Sequence, residues 1–202
     1  MSVSSVSIVE VGPRDGFQPI GEFIPTERKA LLIDKLYDAG IRRMEATAFV
    51  SPRAVPQMAD APQLLAHCAT KPGLDAQVLV PSQRQAERAL AADARHLAFV
   101  LSVSPKHNQS NVLRTPVESV EDFRAIVALL PADARIRLNL ATAFDCPFDG
   151  PVDPAATLDL VEALAKISVK AEFCLCDTTG RVTPNKVGDL FERARNLFPQ
   201  VN

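Results

Sequence analysis

An arginine and an aspartate stand side by side in "VEVGPRDGFQ", residues 9–18, where an apolar run enters a Gly-Pro turn. Arg14 offers a fixed cation for an anionic oxygen, and Asp15 a hard carboxylate for a divalent ion. Polar residues recur at the ends of later apolar runs: Glu45 in "RRMEATAF", Arg137 and Asn139 in "RIRLNLATAF", and Asp177-Thr178-Thr179-Gly180. Each has an ordinary structural reading on its own. Arg14 and Asp15 can be a turn ion pair, Glu45 an interior salt-bridge acid, and Asp177 a cap on its own turn. Acids at three strand ends, with an arginine, would converge on one mouth in a parallel arrangement, which favours one shared site.

The remaining reactive types say less. His67, His96 and His107 are far apart and form no His-x-His or His-x-x-x-His ligand pair. His67 reads as a surface helix residue and His96 as a helix-end residue. His107, in the loop "SPKHNQSN", faces the expected rim as a candidate substrate contact. Cys68, Cys146, Cys174 and Cys176 show no disulfide framework and read as buried thiols. The absence of a GxSxG elbow, a GxGxxG fingerprint or a P-loop disfavours serine hydrolases and the commonest nucleotide binders.

Positioning such residues requires strands. Candidate strands are 7–11, 43–47, 76–80, 97–103, 135–142 and 171–176, read as nearly solid apolar runs covered on both faces. Helical signals separate them. Thr26 opens a run with Leu31, Leu32, Leu36 and Ala39 on one face, stopped by Gly40. Ser82 begins a capping-box pattern, 118–130 is amphipathic, and Asp153-Pro154 and Thr183-Pro184 read as helix starts. Six strand–helix units in order predict a parallel sheet with helical crossovers, either an open doubly wound sheet or a (β/α)8 barrel two units short. In both, the C-terminal ends of the strands carry function.

Composition sets the class. The 202 residues are 47% hydrophobic and 23% charged, with a net charge of −2, which gives no electrostatic case for nucleic acid or an anionic membrane. With no secretory signal and no apolar run long enough to span a bilayer, the chain reads as cytoplasmic.

The segments "EVGPRDGFQ", "FVSPRAVPQMAD", "AFDCPFDG" and "CDTTGRVTP" together resemble the hydroxymethylglutaryl-CoA (HMG-CoA) lyases, members of a metal-dependent lyase and synthase superfamily built on a TIM barrel. Gly12-Pro13 before Arg14 resembles the lyase branch rather than the Thr-Leu-Arg-Asp-Gly form of the related synthases. The resemblance implies one TIM-barrel catalytic domain over 1–202, with about six of eight units and an incomplete C-terminal side. It implies an acyl-CoA substrate, cleavage of HMG-CoA to acetyl-CoA and acetoacetate, and a homodimer. By the same resemblance, Asp15 is a ligand to Mg2+ or Mn2+, Arg14 stabilises the enolate oxygen, Glu45 and Asp177 are acids of the site, and Gln18, His107 and Thr178 contact substrate. The family's His-x-His, metal asparagine and acid cysteine are expected beyond Asn202, so the 202-residue chain is expected to be inactive by itself. Two other readings stay open: a catalytically dead barrel remnant serving as an oligomerisation or regulatory module, and a condensing synthase. An unclosed barrel is expected to expose the edges of its first and sixth strands.

Overall fold

The computed structural model describes residues 6–201; Met1–Ser5, part of the stretch read for a secretory signal, lie outside the described residues. Among the described residues, no helix is long and apolar enough to cross a membrane. Elements alternate as expected. They are α1 (Thr26–Asp38), β1 (Arg43–Ala48), α2 (Ala61–Ala69), β2 (Asp75–Val80), α3 (Gln83–Ala91), β3 (His96–Ser102), α4 (Pro105–Val112) and α5 (Pro116–Leu129). There follow β4 (Arg135–Ala141), the short strands β5 (Asp145–Cys146) and β6 (Gly150–Pro151), α6 (Pro154–Ala165), β7 (Glu172–Leu175) and α7 (Pro184–Leu197). Five strands form one sheet in the order β1-β2-β3-β4-β7, with β5 and β6 as a separate antiparallel ribbon. Two compact units share the chain, one reaching Val80 and resuming over Arg84–Ala98, the other made of Pro81–Gln83 and Phe99–Asn202.

The first expected strand, 7–11, is reduced to a bridge between Glu10 and Met44. Glu10 N donates to Arg43 O and Glu45 N to Glu10 O, at 3.0 and 2.8 Å. Pro13 then removes the next donor, and Gly12–Gly16 winds into a π-helical turn that ends the extended run. Val6 and Ile8 are left 82% and 70% exposed, so this segment gains little from burial.

In the first unit, β1 and β2 pair in parallel, with Arg43 opposite Asp75 and Glu45 opposite Gln77. The pleat sends Met44 and Ala46 to the other face, where they pack with Ile33, Leu64 and Cys68. The buried stripe of α1 is Lys29, Ile33 and half-buried Leu36, whereas Leu31 and Ala39 are exposed. That corrects the expected face, and the cause is Lys29, which turns inward to reach Asp60. Thr26 likewise gives its hydroxyl to Asp60 (2.8 Å) rather than capping α1.

Gly40, at φ +96°, ends α1 in a Schellman arrangement: Gly40 N donates to Tyr37 O and Ile41 N to Leu36 O, both at 3.0 Å. Leu36 and Ile41, the residues this turn brings together, both pack on the core. Gly40→Ala is expected to cost about 1 kcal/mol in urea unfolding, because a Cβ at positive φ is strained whatever the space around it. An unchanged midpoint would show that the turn relaxes freely.

In the second unit, β4 and β7 pair in parallel, with Arg137 opposite Glu172 and Asn139 opposite Cys174. Phe99 stacks on Phe123 of α5, ring centroids 6.1 Å apart. Asp153 caps α6 by accepting from Ala155 N (2.9 Å), as expected; Thr183 sits at the start of α7 but makes no side-chain cap. Thr115 and Glu118 form a reciprocal capping box on α5. The segment expected as the loop "SPKHNQSN" is instead the helix α4, whose first turn Ser104 caps by accepting from His107 N (3.2 Å).

Candidate active site

Arg14 and Asp15 lie inside the 12–16 turn. Asp15 N reaches Val11 O at 2.7 Å, and Gly12 N donates to Glu10 Oε1 at 2.6 Å. A Cβ on Gly12 would stand 2.8 Å from that oxygen, so the end of the Glu10 side chain would have to swing aside and give up this bond. The turn aims Arg14 at β1. Its Nε and Nη2 meet Glu45 Oε2 at 2.8 and 2.6 Å, and its Nη1 donates to Asp15 Oδ1 at 2.6 Å. Glu45 is 1% exposed. Three of the guanidinium's five N–H groups are therefore spent on two carboxylates, which fix its plane and leave two N–H groups for a further oxygen. The three residues are in direct contact, an arrangement that also contains the turn ion pair of Arg14 with Asp15 and the interior salt bridge of Glu45.

Gln18 follows on the exposed loop, its backbone N donating to Arg14 O at 3.2 Å. It lines a cleft of about 540 Å³ with Asp15, residues 19–21 and residues 54–57. Gln57, which sequence reading missed, shapes that cleft. Its side chain accepts from Ile24 N (3.1 Å) and donates to Ile20 O (2.8 Å) and Glu22 O.

The second unit carries His107, Asp177 and Thr178. Thr178 Oγ1 accepts from Thr142 N at 2.7 Å, and Thr142 Oγ1 accepts from Ser104 N at 3.1 Å. With Ser104 capping α4, these bonds tie the ends of β3, β4 and β7 together. Thr142 sits at φ +55°, an uncommon conformation for a β-branched residue. His107 Nδ1 meets Ser102 Oγ at 2.7 Å, and burial pushes its pKa below the ordinary histidine value, so the ring is neutral at pH 7. Asp177 holds its own loop, accepting from Arg181 N (3.3 Å) and Val182 N (3.2 Å) through its two oxygens. The turn-capping reading of Asp177 is thus visible in the structure.

The other histidines are structural. His67 meets Asp34 (2.7 Å), and His96 is 3% exposed on β3, not at a helix end, with Nδ1 2.8 Å from Asp75 Oδ1. Cys68 and Cys146 are buried, as expected, but Cys174 and Cys176 are only half-buried.

Three comparisons give these geometries a context. Residues 5–201 match the family model described as HMGL-like. The chain belongs to the HMGL-like family. The mouse mitochondrial hydroxymethylglutaryl-CoA lyase is 36% identical over 195 residues, 96% of this chain and 60% of that protein. The (R)-citramalyl-CoA lyase of Chloroflexus aurantiacus is 35% identical, over 98% of this chain and 66% of that one. Among solved structures, the HMG-CoA lyase of Brucella melitensis superposes with a TM-score of 0.86 at 36% identity, covering 96% of this chain and 69% of that chain. That of Acenitobacter baumannii, in complex with coenzyme A and 3-methylmalate, gives 0.88 at 33% identity, covering 95% and 62%. The fold is accordingly that of the HMG-CoA lyase TIM barrels, and this HMGL-like chain spans about 60% of the length of curated relatives such as the mouse lyase.

The family is metal-dependent in general. The described residues do not by themselves fit a divalent ion, since no group of three His, Cys, Asp or Glu is placed to hold one. Asp15 is 63% exposed, with one oxygen given to Arg14. A single monodentate carboxylate is too little for Mg2+ or Mn2+.

Proposed function

We propose that the full-length protein carrying this chain is a carbon–carbon lyase that cleaves 3-hydroxy-3-methylglutaryl-CoA, or a close 3-hydroxyacyl-CoA, to acetyl-CoA and a keto acid. The observation that carries the reading is the guanidinium of Arg14 held between Glu45 and Asp15. When the C2–C3 bond breaks, its electron pair stays on C2 and charge spreads onto the thioester oxygen. A cation already fixed in place stabilises that oxygen only as the charge develops, so its effect falls on the barrier. Glu45 orients Arg14. In this reading Asp177 takes the C3 hydroxyl proton, while Gln18, His107 and Thr178 contact the substrate. Asp15 is one ligand of a Mg2+ or Mn2+ ion whose other ligands the described residues do not supply, and a second copy of the protein is the expected partner.

The test is to incubate the full-length protein and Mg2+ with HMG-CoA and, separately, with citramalyl-CoA, the second ester being motivated by the Chloroflexus relative. Release of acetyl-CoA together with acetoacetate from the first supports the reading, and preferential cleavage of the second reassigns the acyl group. Cleavage of neither, or turnover only in the condensing direction, rejects the lyase in favour of a remnant or a synthase.

A further inference from the structure

Beyond the β4–β7 pair's polar residues stands a pair of sulfurs that the proposed cleavage does not use. Cys174 lies opposite Asn139, and Cys176 follows two residues on, immediately before Asp177. The Sγ atoms are 3.8 Å apart, Cys176 Sγ also lies 3.6 Å from Cys174 O, and both residues are half-buried. Arg137 Nη2 stands 3.0 Å from Cys174 Sγ. The same guanidinium has its Nε 3.9 Å from Glu172 Oε1, so it is shared between that carboxylate and the sulfur, whose thiolate form is the one that attacks electrophiles. The other two thiols are set apart. Burial pushes Cys68 up to about 11, and Cys146 is 1% exposed with its sulfur on Ser104 Oγ at 3.2 Å.

We propose that Cys174 and Cys176 form a redox dithiol that a hydroperoxide closes into an intrachain disulfide. The Cys174 thiolate attacks the terminal peroxide oxygen. The O–O bond breaks, the other oxygen leaves as water or an alcohol after protonation, and Cys174 becomes a sulfenic acid. The Cys176 thiol then attacks the Cys174 sulfur, the S–O bond breaks, and water departs with the thiol proton. Two electrons pass from the sulfurs to the peroxide, and a dithiol reductant returns them. The sulfurs close from 3.8 Å to a bond of about 2.05 Å, while hydrogen bonds from Cys176 N to Leu140 O and from Ala143 N to Cys176 O hold the backbone. The pair stands immediately before Asp177 and Thr178, and any consequence for catalysis rests on the lyase reading, whereas the dithiol chemistry does not.

The sequence provides a clean readout, since cleavage after Lys170 and Arg181 leaves both cysteines, and no other, on peptide 171–181. After treatment of the native protein with hydrogen peroxide, alkylation and digestion, that peptide is expected to have lost the mass of two hydrogens and to regain it with dithiothreitol. Peptides carrying Cys68 and Cys146 are expected to remain reduced. In Cys176→Ser, Cys174 should be trapped as a sulfenic acid that dimedone labels, and Cys174→Ser should give no label at the same peroxide dose. Gain of two or three oxygens on the wild-type peptide, disulfides to Cys68 or Cys146, or equal labelling of the two variants would overturn the proposal. These results stand whether or not HMG-CoA is cleaved.

Discussion

Arg14→Gln in the full-length protein is expected to abolish nearly all turnover of HMG-CoA, raising the barrier by about 4 kcal/mol, close to a thousandfold in rate. The loss should fall on kcat rather than KM. In the proposed cleavage the guanidinium would face a neutral thioester carbonyl in the ground state and an enolate oxygen in the transition state, so removing it should cost little binding and much acceleration. Arg14→Lys should rescue poorly, since an ammonium on a flexible stem cannot reproduce a plane fixed by Glu45 through Nε and Nη2 and by Asp15 through Nη1. Glu45 is nearly fully buried, so losing its cation partner also costs stability. A melting curve must therefore accompany the kinetics. A folded Arg14→Gln protein with near-normal kcat would take Arg14 out of the mechanism.

The contact between Arg14, Asp15 and Glu45 was legible because all three sit where strand direction and family motif agree. The alternation of β1 and β4 was equally available, yet the strands read as solid apolar runs. Arg43 and Glu45, or Arg137 and Asn139, are spaced two apart, and the pleat collects each pair on one face opposite Met44 or Leu138 and Leu140, until a register shift between Glu45 and Thr47 interrupts β1. The helix α4 carried an explicit start signal, Ser104-Pro105, and α5 carried Thr115-Pro116 with Glu118 three residues after the cap. Other features had no local signal. A one-residue bridge at Glu10 depends on Pro13 and on what β1 offers, and apolar content alone predicts a strand there. The rotation of α1 depends on a partner more than thirty residues away, because a buried lysine is tolerated only where a carboxylate meets it. Gln57 escaped notice for a similar reason: its role is to fill the hydrogen-bonding needs of Ile20, Glu22 and Ile24, which no spacing rule connects.

That buried lysine gives the largest expected effect on stability. Lys29 is 0% exposed, its Nζ 2.9 and 3.1 Å from the two oxygens of Asp60, itself 5% exposed, and it also donates to Gln57 O. It lies over the Phe23 ring at 4.3 Å as well. Lys29→Met keeps the stem's volume and deletes the charge, leaving Asp60 as a buried carboxylate with the Thr26 hydroxyl at 2.8 Å for support. The expected cost is about 3–5 kcal/mol, the range for removing one partner of a buried ion pair. Because most of that cost is the stranded charge rather than a lost attraction, Lys29→Met combined with Asp60→Leu should be more stable than Lys29→Met alone. Urea unfolding with unchanged m-values would measure both variants. If Lys29→Met shifted stability by less than about 1 kcal/mol, Asp60 would have found water or protonated, and the pair would not be what turns α1 onto its observed face.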